Sequence, residues 1–172
     1  MGKVALIIAD MLNDFIDPQG TLYVGPAGRE IIPFVARQAE TVRAWGGLVI
    51  FVCDAHAPDD REFEHFEPHA VKGTWGTEII PELPFLPGDY RIEKTRYSAL
   101  YNTDLEDILK REDVSETELV GVCTSICVML TALDLLHRDI PCRVYRDGVA
   151  DFDPKAHDFA LEHMQKLGVK VV

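Results

Sequence analysis

The chain has 172 residues, 47% of them apolar, and a formal charge of -12 from 17 Lys+Arg against 29 Asp+Glu. That length suits one domain with one substantial core, and the acidic balance argues against nucleic acid or an anionic membrane surface as a partner, because both reward clustered positive charge. The apolar run in MGKVALIIAD is far too short to span a bilayer and lacks a small-residue cleavage site, so it reads as a buried strand of a cytoplasmic protein.

Strand-length apolar runs recur along the chain: VALIIA (4–9), LVIFVC (48–53), a weaker YRIEK (90–94), ELVGV (118–122), CRVY (142–145) and VKVV (169–172). Continuous, β-branched-rich runs suit strands covered on both faces. Between them lie segments with helical spacing at 28–45, 104–112, 126–138 and 154–167. Alternating strand and helix predicts an α/β fold, a single domain over 1–172 with parallel strands joined by right-handed crossovers. Asp104 and Asp153 are expected to cap the helices that follow them, Pro154 fits the first helical position, and Gly46-Gly47 and Gly168 end theirs. The segment from about 55 to 87 is a long, Pro-rich insertion carrying Asp, His and Glu, and loops of that length usually serve a site.

In an open parallel sheet, ligands bind beyond the carboxyl ends of the strands. Asp10 ends the first run, Asp54 the second with His56 just after, and Lys94 the third, while the fourth leads into CTSIC. Acid, amine and thiol therefore converge on one edge. Cys127 falls at the start of a helical segment, where the dipole and free N–H groups favour a thiolate. Asp10, with its pKa raised by burial and adjusted by Lys94, is the candidate base. Cys123 reads as packing, and Cys53 and Cys142 as free thiols like it, since a mid-sized chain without a secretory signal does not suggest a disulfide framework. C-x-x-x-C supplies half a zinc site and is not the usual C-x-x-C redox pair. His137, His157 and His163 lie on helical segments and offer no obvious catalytic partner. A second constellation, Asp54, His56, Glu62, His65 and His69, mixes N and O donors that suit Zn, Fe(II) or Mn, and spacing alone does not choose among the five.

The set ADMLNDF (9–15), DAH (54–56), FEPHAVKGTWGTE (66–78), EKTRYSALYNTDL (93–105) and GVCTSICV (121–128) resembles the isochorismatase-like cysteine hydrolases, and among them the nicotinamidase family. The resemblance runs in order from about residue 4 to the C-terminus. It implies a three-layer α/β/α fold with a six-stranded parallel sheet, a triad of Asp10, Lys94 and Cys127, and a cis peptide before Cys123 that turns the backbone N–H groups of Cys123 and Cys127 toward one oxyanion. It further implies one divalent metal ion, zinc first and Fe or Mn next, held by Asp54, His56 and His69, with Glu62 preferred to His65 as the remaining protein donor. Phe15 and Phe66 would flank the substrate ring, and Tyr97 and Tyr101 would close the pocket. The implied partner is a small-molecule amide, and the implied assembly a homo-oligomer, dimer or tetramer. Ser125 departs from the pattern, standing where many nicotinamidases have Asp.

Overall fold

In the computed structural model, which describes residues 2–172, six parallel strands form one sheet in the order β3-β2-β1-β4-β5-β6. The strands are β1 (Lys3–Ala9), β2 (Leu48–Asp54), β3 (Tyr90–Lys94), β4 (Val114–Val122), β5 (Cys142–Ala150) and β6 (Lys170–Val171). The helices are α1 (Asn13–Ile16), α2 (Pro26–Glu30), α3 (Ile32–Ala44), α4 (Leu105–Arg111), α5 (Met129–Leu136) and α6 (Pro154–Leu167). Strand side chains alternate between faces. Leu6, Ile8, Val49, Phe51 and Val120 therefore pack with Val35, Ala39 and Val42 of α3, while Ala5, Ile7, Ile50, Val52 and Leu119 pack with Ile108 of α4, Ala132 and Leu135 of α5 and Leu161 of α6. The result is the three-layer α/β/α arrangement expected from the alternation. Edge strand β3 shows the exception that explains its weak signal, since Arg91 and Glu93 face solvent. Among the described residues no helix is long and apolar enough to cross a membrane.

Several boundaries differ from expectation, each for a local reason. The helix expected at 28–45 begins at Pro26 and is interrupted at Ile31, just before Pro33. β4 starts at Val114 rather than 118, its first residues hidden in the pattern by Ser115 and Glu116; the buried Glu118 is accommodated by hydrogen bonds from Gln38 (2.5 Å) and Tyr145 (2.8 Å). β5 continues to Ala150, past the polar stretch Arg146-Asp147, and β6 is shorter than expected, Lys170–Val171 instead of 169–172. Asp104 makes no side-chain cap, and the N–H of Leu105 is taken by the Thr103 hydroxyl at 3.3 Å. Asp153 does cap α6, accepting from the Lys155 N–H at 2.9 Å.

Strand order reverses between β1 and β4, so the crevice for a ligand lies beyond the C-terminal ends of those two strands. Gly121 makes the approach possible: its φ is +113°, and a Cβ there would lie 2.1 Å from the carbonyl oxygen of Ala9.

Candidate active site

Asp10 stands one residue past β1, Asp54 ends β2, Lys94 ends β3, and the turn Thr124–Val128, of π-helical type, follows β4 directly. The Val122–Cys123 peptide in front of that turn is cis. Asp10 is held by two bonds to the neighbouring strand: its N–H donates to Val52 O (2.9 Å), and its Oδ1 accepts the Asp54 N–H (2.8 Å). Lys94, fully buried, reaches across the strand ends, with Nζ 2.5 Å from Asp54 Oδ1, 3.0 Å from Asp10 Oδ2, 3.3 Å from Cys127 Sγ and 3.1 Å from Arg96 O. Sγ of Cys127 and one oxygen each of Asp10 and Asp54 lie within 4.8 Å of one another. Although Asp10 Oδ2 touches Lys94, it is buried without a well-directed hydrogen bond, which leaves a lone pair open beside the thiol.

Electrostatics divides these groups by role. Burial and the neighbouring Asp54 raise Asp10 to about 6 against the pull of Lys94. Burial opposes the charge of Lys94, but Asp10, Asp54 and the sulfur outweigh it and keep its pKa well above the ordinary range. Burial also drives Cys127 well above the usual thiol range, with Lys94 opposing. This corrects the expectation of a thiolate favoured by a helix start: Cys127 lies in the irregular turn ahead of α5 and is buried. The resting proton therefore sits on sulfur, next to an ionised carboxylate able to take it.

On the other side of Asp54, four residues converge. Asp54, His56, Glu62 and His69 each offer an atom within 4.8 Å of the others. Nε2 of His56 lies 3.6 Å from Asp54 Oδ2 and 3.8 Å from Glu62 Oε1, and Nε2 of His69 lies 3.6 Å from Glu62 Oε1. These separations are too long for hydrogen bonds and close to what two ligands keep around an ion with bonds of about 2.1 Å. The outer nitrogens are occupied: His56 Nδ1 meets Asp60 Oδ2 at 3.1 Å, and His69 Nδ1 meets Glu67 O at 2.7 Å. Among the described residues buried His56 Nε2 has no hydrogen-bond partner, so the donor set fits a divalent ion. His65 stays outside the group, exposed beside Arg61 and Glu64 in an outer hollow.

Both clusters face one cavity. Its wall includes Asp10, Cys123 and Cys127 on one side and Asp54, Glu62 and His69 on another, with Phe15, Phe66 and Tyr97 among the apolar surfaces. Tyr101 is not there; it is about half exposed and lines a separate surface hollow with Leu130 and His137, a hollow that Tyr97 also borders. Sequence reasoning missed Leu22, Ile126 and Phe152 on the wall. It also missed three supports: Asp151 Oδ2 accepts the Ser125 N–H (2.7 Å), Thr124 Oγ1 meets His157 Nδ1 (2.8 Å), and Asp14 Oδ2 accepts the Ala70 N–H (2.7 Å). Gly76 packs against that same Asp14 carboxylate, 1.9 Å from where a Cβ would stand. Asp151 gave no signal in the sequence, because its place at a strand end appears only once β5 is seen to run on to Ala150.

The Isochorismatase domain profile matches residues 4–172. The chain belongs to the isochorismatase family. Three solved members illustrate the range of this family. A nicotinamidase from Bacillus subtilis is 34% identical with TM-score 0.93, covering 99% of each chain. An N-carbamoylsarcosine amidase from Thermoplasma acidophilum is 36% identical with TM-score 0.88, covering 98% of this chain and 95% of its own. A pyrazinamidase from Pyrococcus horikoshii, solved in complex with zinc, is 32% identical with TM-score 0.92, covering 99% of this chain and 98% of its own. Amide hydrolysis recurs in these names, and the isochorismatase-family scaffold is common to all three.

Proposed function

We propose that this protein is a cysteine-dependent amidohydrolase that converts nicotinamide to nicotinate and ammonia. The observation that carries this reading is the seat of Lys94, in contact with Asp10 and Cys127 together while Asp10 Oδ2 keeps an open lone pair beside the thiol. Asp10 takes the thiol proton as sulfur attacks the amide carbon, and the backbone N–H groups of Cys123 and Cys127 receive the charge that develops on oxygen. Asp10 returns the proton to nitrogen, the C–N bond breaks, and ammonia leaves a thioester. Water, deprotonated by the same carboxylate, cleaves the thioester, and the acid departs with the thiol restored. Lys94 stabilises the charge on both partners throughout.

Phe15 and Phe66 flank the ring of the substrate and Tyr97 closes over it. Asp54, His56, Glu62 and His69 would hold one divalent ion, zinc by the likeness to the Pyrococcus enzyme and Fe or Mn as the other candidates, and a bound ion supplies a Lewis-acidic anchor for a ring nitrogen. A neutral aromatic amide is favoured because the wall described for the cavity carries no arginine or lysine to pair a substrate carboxylate.

Ser125 supports a second reading, a carbamoyl or ureido substrate, since that position differs from many nicotinamidases and the Thermoplasma amidase is comparably similar. Ammonia release from nicotinamide, pyrazinamide, N-carbamoylsarcosine and ureidoacrylate decides between them. The expected result is turnover of the two ring amides, abolished in Cys127→Ala; turnover confined to the carbamoyl or ureido compounds would establish the second reading instead.

A further inference from the structure

The candidate ligands His56 and Glu62 sit on an irregular loop, yet both are tied to one side chain that the metal group does not include. Asp60 Oδ2 accepts from His56 Nδ1 at 3.1 Å, and its Oδ1 accepts the backbone N–H of Glu62 at 2.9 Å, capping the short 3-10 turn Arg61–Glu64. The guanidinium of Arg96 reaches both oxygens of the same carboxylate, at 3.0 and 3.2 Å. The carbonyl of Arg96 in turn accepts from Lys94 Nζ at 3.1 Å. Phe63 lies edge-on to the His56 and His69 rings, with centroids 5.5 and 5.4 Å away.

We propose that Asp60, clamped by Arg96, is a positioning residue that orients His56 and Glu62 for the ion and ties the metal loop to the turn carrying Lys94. This rests on the metal-centre reading above. A carboxylate on Nδ1–H fixes the tautomer, presents the lone pair at Nε2 and makes it a stronger donor. Asp60 is bonded to the far side of the imidazole and so acts through His56. Its side chain is only 8% exposed while that of Arg96 is 41% exposed, so the arginine closes the brace from the solvent side.

The test is zinc affinity of metal-stripped protein, measured by competition with a chromophoric chelator, for wild type, Asp60→Ala, Asp60→Asn and Arg96→Gln. Co(II) absorption spectra and the melting temperature of the stripped forms accompany it. Zinc binding should weaken about 10- to 100-fold in Asp60→Ala, less in Asp60→Asn, and by a few-fold in Arg96→Gln. The Co(II) bands should shift in Asp60→Asn, which a merely structural loss would not produce, and iodoacetamide should label Cys127 at the wild-type rate in every stripped variant. If Asp60→Ala does not fold, Asp60→Asn carries the comparison. Wild-type affinity and an unshifted Co(II) spectrum in Asp60→Asn overturn the brace alone, whereas wild type that takes up no zinc overturns the metal centre itself and the brace with it.

Discussion

The two halves of the cavity are held by different means. Asp10, Asp54, Lys94 and the turn from Cys123 to Cys127 stand at or just past the ends of neighbouring parallel strands, where ladder hydrogen bonds fix the backbone. His56, Glu62 and His69 hang on a segment whose only ladder contact described is an isolated bridge from His56 to Val71, and side-chain bonds from Asp14 and Asp60 pin it down. Covalent chemistry requires reacting atoms held near contact, and a sheet edge provides that rigidity. Donors that orient a substrate can sit on a loop, where the sequence varies without disturbing the core. Asp54 belongs to both halves, one oxygen on Lys94 and the other facing His56.

Variants should therefore separate the halves unless they act through that shared carboxylate. The largest effect is expected for Cys127→Ala: turnover falls at least about 1,000-fold, with zinc affinity unchanged in the same protein. A parallel loss of zinc would show that the halves are one unit. Lys94→Met should damage both, because in the metal-free protein it leaves Asp10 and Asp54 buried without a counter-charge, at a cost of about 3–5 kcal/mol. Thermal melting checks it, with a drop on the order of 10 °C expected; a melting temperature within about 2 °C of wild type would mean that the carboxylates are neutralised some other way.

The same division governs what could be read from the chain. Strand-end residues were legible because a parallel sheet converts a run such as VALIIA followed by Asp10 into a definite place, and Lys94 and the CTSIC turn followed by the same rule. The loop obeys no period. Asp60 resembles its neighbour Asp59 in every local respect, and only the folded path of Ala55 to Ala70 puts one carboxylate on His56 and on Arg96, 36 residues away. Tyr97 and Tyr101 looked equivalent for the same reason, yet of the two Tyr97 alone also lines the cavity. β4 was read too short because Ser115 and Glu116 break the apolar pattern, and the burial of Glu118 depends on partners in α3 and β5 that no local pattern contains.

A smaller effect, belonging to the strand-end half alone, is the pH dependence. Asp10 accepts the thiol proton only when ionised, and its pKa is raised to about 6, so kcat/KM should rise with pH through about 6 and level off above it. At pH 5 the rate should be about tenfold below the plateau. Ammonia release measured from pH 5 to 8 tests this. A limb centred near 4 would show that Lys94 outweighs burial and Asp54, and that Asp10 is a weaker base toward the thiol than burial alone would make it.

The smallest expected effect comes from Phe152, which shares the cavity wall with Phe15, Leu22, Phe66 and Ile126 but is 39% exposed. Truncation there removes apolar contact with a bound ring while leaving the core intact, whereas Phe15, 5% exposed, is also packed among Leu12 and Ile16. Phe152→Ala should raise KM about fivefold, roughly 1 kcal/mol of lost apolar burial, with kcat, the pH limb and the melting temperature near wild type. Phe15→Ala should raise KM and also cost about 3 kcal/mol of stability. The contrast distinguishes a rim residue that meets substrate from one that holds the wall. If Phe152→Ala instead lowers kcat at constant KM, its effect runs through the backbone, where the neighbouring Asp151 holds the nucleophile turn. In that case the residue belongs with the strand ends rather than with the loop.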